Sequence, residues 1–325
     1  MKEKSKDASF SNQIYGPVPS RRLGMSLGVD VIPMKVCTYD CIYCELGNTR
    51  EKTIVRREYV SEKLVTQALE RYFAEMHTIH LDYVTFSGSG EPTLNSKIGA
   101  LIRKVKRLTD TPVAVLTSGS LLFDPEVRQN LMQADLVVPS LDAALQDVFK
   151  KVNRPVPSLE VSDVIWGIHQ FRKEFKGETW LEILFVKGIN DRLGHIKKLA
   201  EATRWIEPTK IQLTTVVRPP GIGHAPPISM EKLNEISSLF EGNVEVITEL
   251  ERRNSPAYQE EKGDEIVAML RIRPMTLEDI SSLTGMHRNE VLKYLDHLRK
   301  DHAVHDVEFS GETYFTIDRE QGISQ

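Results

Sequence analysis

The chain has 325 residues, enough for one large domain and a small one, or for two of medium size. Its 40% apolar and 27% charged residues describe an ordinary globular protein, and a net charge of −4 argues against bulk attraction to nucleic acid or anionic membrane. No apolar run approaches the roughly 18–20 residues that span a bilayer, and the polar stretch Met1 to Ser11 lacks the apolar segment of a signal peptide.

In chain order, residues 1–13 are expected to be a disordered tail, followed by a turn-rich stretch, Tyr15 to Gly24, carrying Pro17 and Pro19. Alternating apolar positions predict a strand at Leu27–Ile32, and a cysteine loop follows it. Leu64, Ala68 and Tyr72 then recur at helical spacing behind Ser61, so Ser61–Met76 reads as a helix. Further strands are expected at Asp82–Phe86, Val113–Thr117, Leu136–Pro139, Trp180–Val186, Ile211–Val217 and Val244–Ile247. Between them lie helical patterns at Leu94–Leu108, Asp124–Met132, Asp142–Lys150, Leu159–Phe175, Arg192–Trp205 and Met230–Phe240. Such alternation predicts βαβ units and a parallel sheet, with functional groups at the C-terminal ends of the strands. With six or more repeats and a ligand-type loop after the first strand, a partial or full (β/α) barrel is favoured over an open dinucleotide-binding sheet.

After Thr248 the pattern changes. Residues 249–263 are polar and charged and read as a linker, followed by a small module over 264–320. It shows helical patterns at Asp264–Leu270, Thr276–Leu283 and Arg288–Lys300, then two strands around Ser310-Gly311. Thr276 with Asp279 resembles a capping arrangement. Three helices and a hairpin resemble a winged helix, with Arg288–Lys300 in the recognition position. The module holds seven Lys or Arg against twelve Asp or Glu, a net of −5, while Arg288–Lys300 alone carries a local +2. Phosphate recognition needs a positive surface, so protein and nucleic acid both stay open as its partner.

The chemistry is concentrated in Cys37, Cys41 and Cys44, the only three cysteines of the chain, placed within eight positions. An odd, clustered set cannot complete a disulfide framework. A structural zinc site closes a tetrahedron with four Cys or His ligands, and no histidine precedes His77. A four-iron cluster on three thiolates leaves one iron without a protein ligand, free to bind a small molecule. Zinc or a partial redox site remains the alternative. Reduced thiols fit a cytoplasmic location.

The spacing C-x3-C-x2-C, with Tyr43 before the last cysteine, resembles the motif of the radical S-adenosylmethionine (radical SAM) superfamily. That resemblance implies a partial (β/α)6 barrel and a [4Fe–4S] cluster on Cys37, Cys41 and Cys44, whose open iron chelates SAM. Reductive cleavage of SAM then gives methionine and a 5′-deoxyadenosyl radical that abstracts hydrogen from a substrate. It also implies an external electron donor such as flavodoxin or ferredoxin. Ser87-Gly88-Ser89-Gly90-Glu91-Pro92 matches the superfamily's glycine-rich second motif and implies contact with the methionyl amino group. Glu91 would repel a phosphate but suits a cation, and the segment lacks the Gly-Lys-Ser/Thr of a P-loop. Tyr43, Ser118, Ser140 and Asp142, near the cysteine loop and at the ends of the third and fourth strands, complete the cofactor candidates; Ser140 and Asp142 could equally cap the next helix.

Arg154, Lys187 and Arg218 could rim the site for an anionic substrate, or be solvated loop residues. Together with Tyr15 to Gly24, Asn153-Arg154-Pro155 and Val217-Arg218-Pro219-Pro220, these motifs look like a subgroup of Fe–S oxidoreductases related to the wyosine tRNA-modifying synthases. Those enzymes carry a second cluster, for which no cysteine remains here. Two other functions are therefore weighed: a tRNA-base-modifying radical enzyme, and a redox-responsive regulator whose cluster controls DNA binding by the winged-helix module.

Overall fold

The computed structural model describes residues 13–20, 22–75, 80–217, 220, 225–247, 260–272, 274–300, 304–309 and 312–317. The expected tail apart from Gln13, most of the expected linker, Arg218 and the Ser310-Gly311 turn lie outside these residues.

The alternation of strand and helix is realised almost element by element. Strands β1 (Ile14–Ser20) and β2 (Gly24–Val29) precede the cysteine loop, which is framed by the two-residue strands β3 (Val36–Cys37) and β4 (Glu51–Lys52). Helix α1 (Glu62–Glu75), β5 (Tyr83–Phe86), α2 (Ile98–Leu108), β6 (Val113–Thr117), α3 (Pro125–Leu131) and β7 (Leu136–Pro139) follow. Next come α4 (Gln146–Val152), α5 (Val161–Glu174), β8 (Glu178–Phe185), α6 (Leu193–Ile206), β9 (Lys210–Thr215), α7 (Met230–Ser237) and β10 (Val244–Val246). The main sheet runs β1-β2-β5-β6-β7-β8-β9-β10; every pair from β2 to β10 is parallel and β1 joins β2 antiparallel. An α/β sheet of this order is consistent with the partial barrel expected from sequence.

Each helix buries one stripe on the sheet. In α2, Ile98, Leu101, Ile102 and Val105 are fully buried at spacings of three and four, while Lys104, Lys106 and Arg107 sit on the other side. At roughly 1.5–3 kcal/mol per large apolar side chain, that stripe holds the helix far more firmly than its intrinsic propensity. Asp124 caps α3, accepting from the Glu126 N–H ahead of Pro125, and Ser229 caps α7 by accepting from the Lys232 N–H.

Two segments depart from the expectation. The stretch read as turn-rich is the edge strand β1; Pro17 and Pro19 are tolerated because an edge strand needs only one row of ladder donors. Helix α4 begins at Gln146, four residues later than expected, with Leu145 at its N-cap. Neither Ser140 nor Asp142 caps it.

The C-terminal residues form a second apolar cluster around Ile266, Ile280, Val291 and Leu295. Helix α8 (Glu260–Ile272) starts within the expected linker. It is followed by β11 (Met275–Thr276), α9 (Leu277–Thr284), α10 (Arg288–Lys300), β12 (His305–Phe309) and β13 (Glu312–Thr316), with strand order β11-β13-β12. The capping box expected at Thr276 and Asp279 is present in full. Among the described residues no helix is long and apolar enough to cross a membrane.

Candidate functional site: a cysteine loop locked to a glycine turn

A cavity opens at the C-terminal ends of β5, β6 and β7, where an α/β sheet carries its ligands. Cys37, Tyr39, Cys41, Tyr43, Ser87, Gly88, Gly90, Glu91, Ser118, Ser140, Asn153 and Glu182 are on its wall.

Two backbone hydrogen bonds fasten the cysteine loop to the glycine turn. Lys35 N–H donates to the Ser89 carbonyl at 2.7 Å, and Glu91 N–H donates to the Val36 carbonyl at 3.2 Å. The approach is so close that a Cβ on Gly90 would overlap the Val36 carbonyl, and one on Gly88 would overlap the Asp30 carboxylate. On the other side, Asp40 and Ile42 donate their N–H groups to the carbonyls of Asn153 and Val152 at the end of α4. The loop is thus tied on both flanks to elements that the sequence places far away.

The three cysteines are free and half-buried. Lys35, almost fully buried and with φ 59°, donates its Nζ to Cys44 Sγ at 3.0 Å. Burial pulls the Lys35 ammonium down, but the three thiols, Cys44 foremost, outweigh it and hold Lys35 above its ordinary value. Burial pushes Cys37 up to about 12 and Cys41 higher still. Such thiols ionise only when a cation takes them as thiolate ligands, releasing protons as it binds.

Glu91 is 2% exposed and saturated by the protein. Its Oε1 accepts from Thr93 N–H, Thr93 Oγ1 and Thr117 Oγ1, and its Oε2 accepts from Ser118 N–H at 2.7 Å. It therefore joins the end of β5 to the end of β6. Asp142 is equally deep: Oδ2 accepts from the Tyr43 hydroxyl at 2.5 Å and Asn153 Nδ2 at 2.7 Å, and Oδ1 accepts from Leu184 N–H. Burial drives Asp142 up to about 6 against the opposing pull of those donors, Tyr43 first.

The structure brings Cys37, Cys41, Tyr43, Ser87, Gly88, Gly90, Glu91, Ser118 and Ser140 to one cavity. Ser89, Pro92 and Asp142 stand behind that wall. Ser89 turns its hydroxyl onto Asp30, Pro92 opens a buried 3₁₀ turn, and Asp142 orients Tyr43. Arg154 and Lys187 are exposed and off the cavity wall, Arg154 facing Asp40 at 4.0 Å. Sequence reasoning missed Lys35, Asp30 and Glu182. Glu182, beside Ser140 across β7 and β8, pairs with Arg22 from the β1–β2 turn. An acid in the middle of a strand expected to be buried was the available signal.

The cysteine loop offers three free thiols, the donor set of an iron–sulfur cubane with one open iron. Among the described residues no three Cys, His, Asp or Glu side chains converge on a point as ligands of a single ion would. A cubane held here instead takes one thiolate at each of three irons and leaves the fourth open. The buried Tyr39 hydroxyl, beside Cys37 and Cys41, has no hydrogen-bond partner within the protein. The Lys35 charge offsets three thiolates without supplying another ligand.

A model of the radical SAM superfamily matches residues 31–200. UPF0026 protein MJ1312 of Methanocaldococcus jannaschii is 30% identical over 306 residues, covering 93% of this chain and 94% of its own. The protein named GTPase Obg in Brachyspira hyodysenteriae is 38% identical over 244 residues, or 75% of this chain; the match spans only 35% of that protein's length. Among solved structures, Streptococcus suis SuiB bound to S-adenosylmethionine superposes with a TM-score of 0.51 at 14% identity, covering 67% of this chain and 50% of that one, a likeness of fold alone.

Proposed function

The chain belongs to the radical SAM superfamily, and we propose that its cavity binds a [4Fe–4S] cluster through Cys37, Cys41 and Cys44 with SAM against the Ser87–Glu91 turn. It is an enzyme, and members of this superfamily use a [4Fe–4S] cluster and SAM and draw electrons from a reductant such as flavodoxin or ferredoxin. When bound and reduced, the cluster supplies the electron that splits SAM into methionine and a hydrogen-abstracting 5′-deoxyadenosyl radical.

The protein's own groups prepare that event. Lys35 balances thiolate charge inside a low-dielectric pocket, where an uncompensated anion is costly. Glu91 spends its lone pairs on Thr93, Thr117 and Ser118 and so presents a rigid turn. Its residual negative charge suits the ammonium of a methionyl group. Tyr43, fixed through its hydroxyl by Asp142, lines the cavity with Cys37 and Cys41, where a nucleoside would lie. Ser140 and Glu182 provide the hydroxyl and carboxylate suited to ribose or to a polar substrate.

The observation that carries this reading is the pair of backbone bonds, Lys35 to Ser89 and Glu91 to Val36, that fuses the three-cysteine loop to the glycine turn around one cavity. The test is anaerobic reconstitution with iron and sulfide, reduction with dithionite, and chromatography for 5′-deoxyadenosine. Product is expected from the native chain and none after Cys37→Ala, Cys41→Ala or Cys44→Ala. Stoichiometric zinc with no nucleoside product overturns it.

We read residues 14–248 as the barrel and the C-terminal residues as a winged-helix-like module beginning near Glu260. The order helix, strand, two helices and hairpin supports that reading. Its use as a DNA reader is disfavoured by two observations. Helix α10 packs against β1 of the barrel. Arg288 and Arg299 of α10 are paired with Glu278 and Asp306 of the same module. The tRNA-base alternative rests on sequence resemblance, and RNA that survives anaerobic purification would favour it.

A further inference from the structure

The first turn of α10 reaches the underside of the glycine turn through two barrel side chains. His287 Nε2 lies 2.9 Å from Asp30 Oδ2, with both side chains almost fully buried. His287 Nδ1 accepts the Asn289 N–H at 3.2 Å, so the ring proton belongs on Nε2 and is donated to Asp30. The same Asp30 oxygen accepts Ser89 N–H at 2.9 Å and the Ser89 hydroxyl at 2.5 Å, and that carboxylate fills the space a Cβ on Gly88 would need. In parallel, Asn289 Nδ2 donates to the Tyr15 hydroxyl at 3.2 Å, and that hydroxyl is 2.8 Å from Ser87 Oγ. The His287 ring stacks on Tyr15 at 4.3 Å between centroids.

We propose that His287 is a positioning residue for the cofactor, acting from the C-terminal module through Asp30 to hold Ser87–Gly90 in the shape that takes up SAM. Without the imidazole donor, the Asp30 carboxylate is left buried with one partner fewer and relaxes toward water. Ser89 and Gly88 move with it, because Asp30 is their anchor. The cost falls on SAM affinity, while the cysteine loop keeps its separate backbone bonds to Val152 and Asn153. The inference rests on the assignment of the glycine turn to SAM.

The experiment uses the full-length, anaerobically reconstituted protein and reads SAM binding from the change SAM produces in the electron paramagnetic resonance signal of the reduced cluster. His287→Phe keeps a ring on Tyr15 and removes the donor; it is expected to retain iron and to raise the Kd for SAM about tenfold, within the usual range of coupling between sites. His287→Gln, which restores an N–H at the Nε2 position, is expected to stay within about threefold of the native Kd. Coupling is reciprocal, so SAM added to the native holoenzyme should slow amide exchange over the first turns of α10, a measurement that needs no variant. Native affinity in His287→Phe, or no SAM-dependent protection of α10, overturns the proposal. A native holoenzyme whose cluster signal ignores SAM instead overturns the assignment of the turn.

Discussion

The Lys35 ammonium and the Cys44 sulfur are 3.0 Å apart, and Lys35 reaches that position from a left-handed backbone that few non-glycine residues adopt. A bulky residue held there, almost fully buried, implies that its charge matters more than its conformational cost of about 1 kcal/mol. Reduction adds negative charge to the cluster, and a nearby cation favours the reduced form. Lys35→Gln is expected to lower the cluster midpoint on the order of 50 mV, roughly the one-electron equivalent of a tenfold change. A potentiometric titration that finds the midpoint unmoved would remove Lys35 from this role.

Gly90 has no room for a methyl group against the Val36 carbonyl. Gly90→Ala must prise the cysteine loop from the turn, at a cost of about 1–3 kcal/mol. Reduced iron content after reconstitution and a lowered melting temperature are expected together. An alanine variant that loads iron normally would show that the two segments need not touch.

Glu91→Gln replaces an acceptor facing two hydroxyls and two N–H groups with an amide that presents donors of its own. One buried donor loses its partner, which costs about 1–3 kcal/mol. The cysteine loop keeps its backbone bond to this position, since that bond uses the Glu91 N–H. Iron content should therefore hold while SAM binding weakens by an order of magnitude or so, about 1.4 kcal/mol. Loss of iron with unchanged SAM affinity would reverse the assignment.

Asp142 titrates at about 6 in the fold, above the usual value of about 4. The folded state therefore holds this proton more tightly than the unfolded state does. Its contribution to stability is complete below about pH 4 and is lost as pH rises through 6, amounting to ~3 kcal/mol. Asp142→Asn, neutral throughout, lacks that slope and carries only a pH-independent offset for its altered bond to Leu184. Denaturant unfolding of the apoprotein at several pH values should show the native chain losing ground to the variant between pH 4 and 7. A constant gap between the two would refute the burial argument.

Local chemistry made much of this site readable in advance. Three cysteines in eight positions, a Gly-Ser-Gly-Glu turn after a buried strand and the alternation of periods two and 3.6 are all short-range signals. What stayed hidden was long-range. Asp142 was read as a ligand because it follows a strand, yet Asn153, Tyr43 and Leu184 claim both of its oxygens. Arg154 and Lys187 occupy loops near strand ends, and no local pattern says that those loops turn outward. Lys35 was invisible because a lysine before a cysteine is ordinarily solvated. Strand β1 was masked by its prolines, whose placement at a sheet edge depends on partners distant in sequence.

The seating of α10 on β1 has one more implication. A polypeptide stopped at residue 247 would keep every cysteine and the whole glycine turn, yet would bare the Tyr15 ring and the Asp30 carboxylate on its outer flank. Trimming the chain to its seemingly self-sufficient larger part would thus strip the cover from the two side chains on which Ser87 and Ser89 rest.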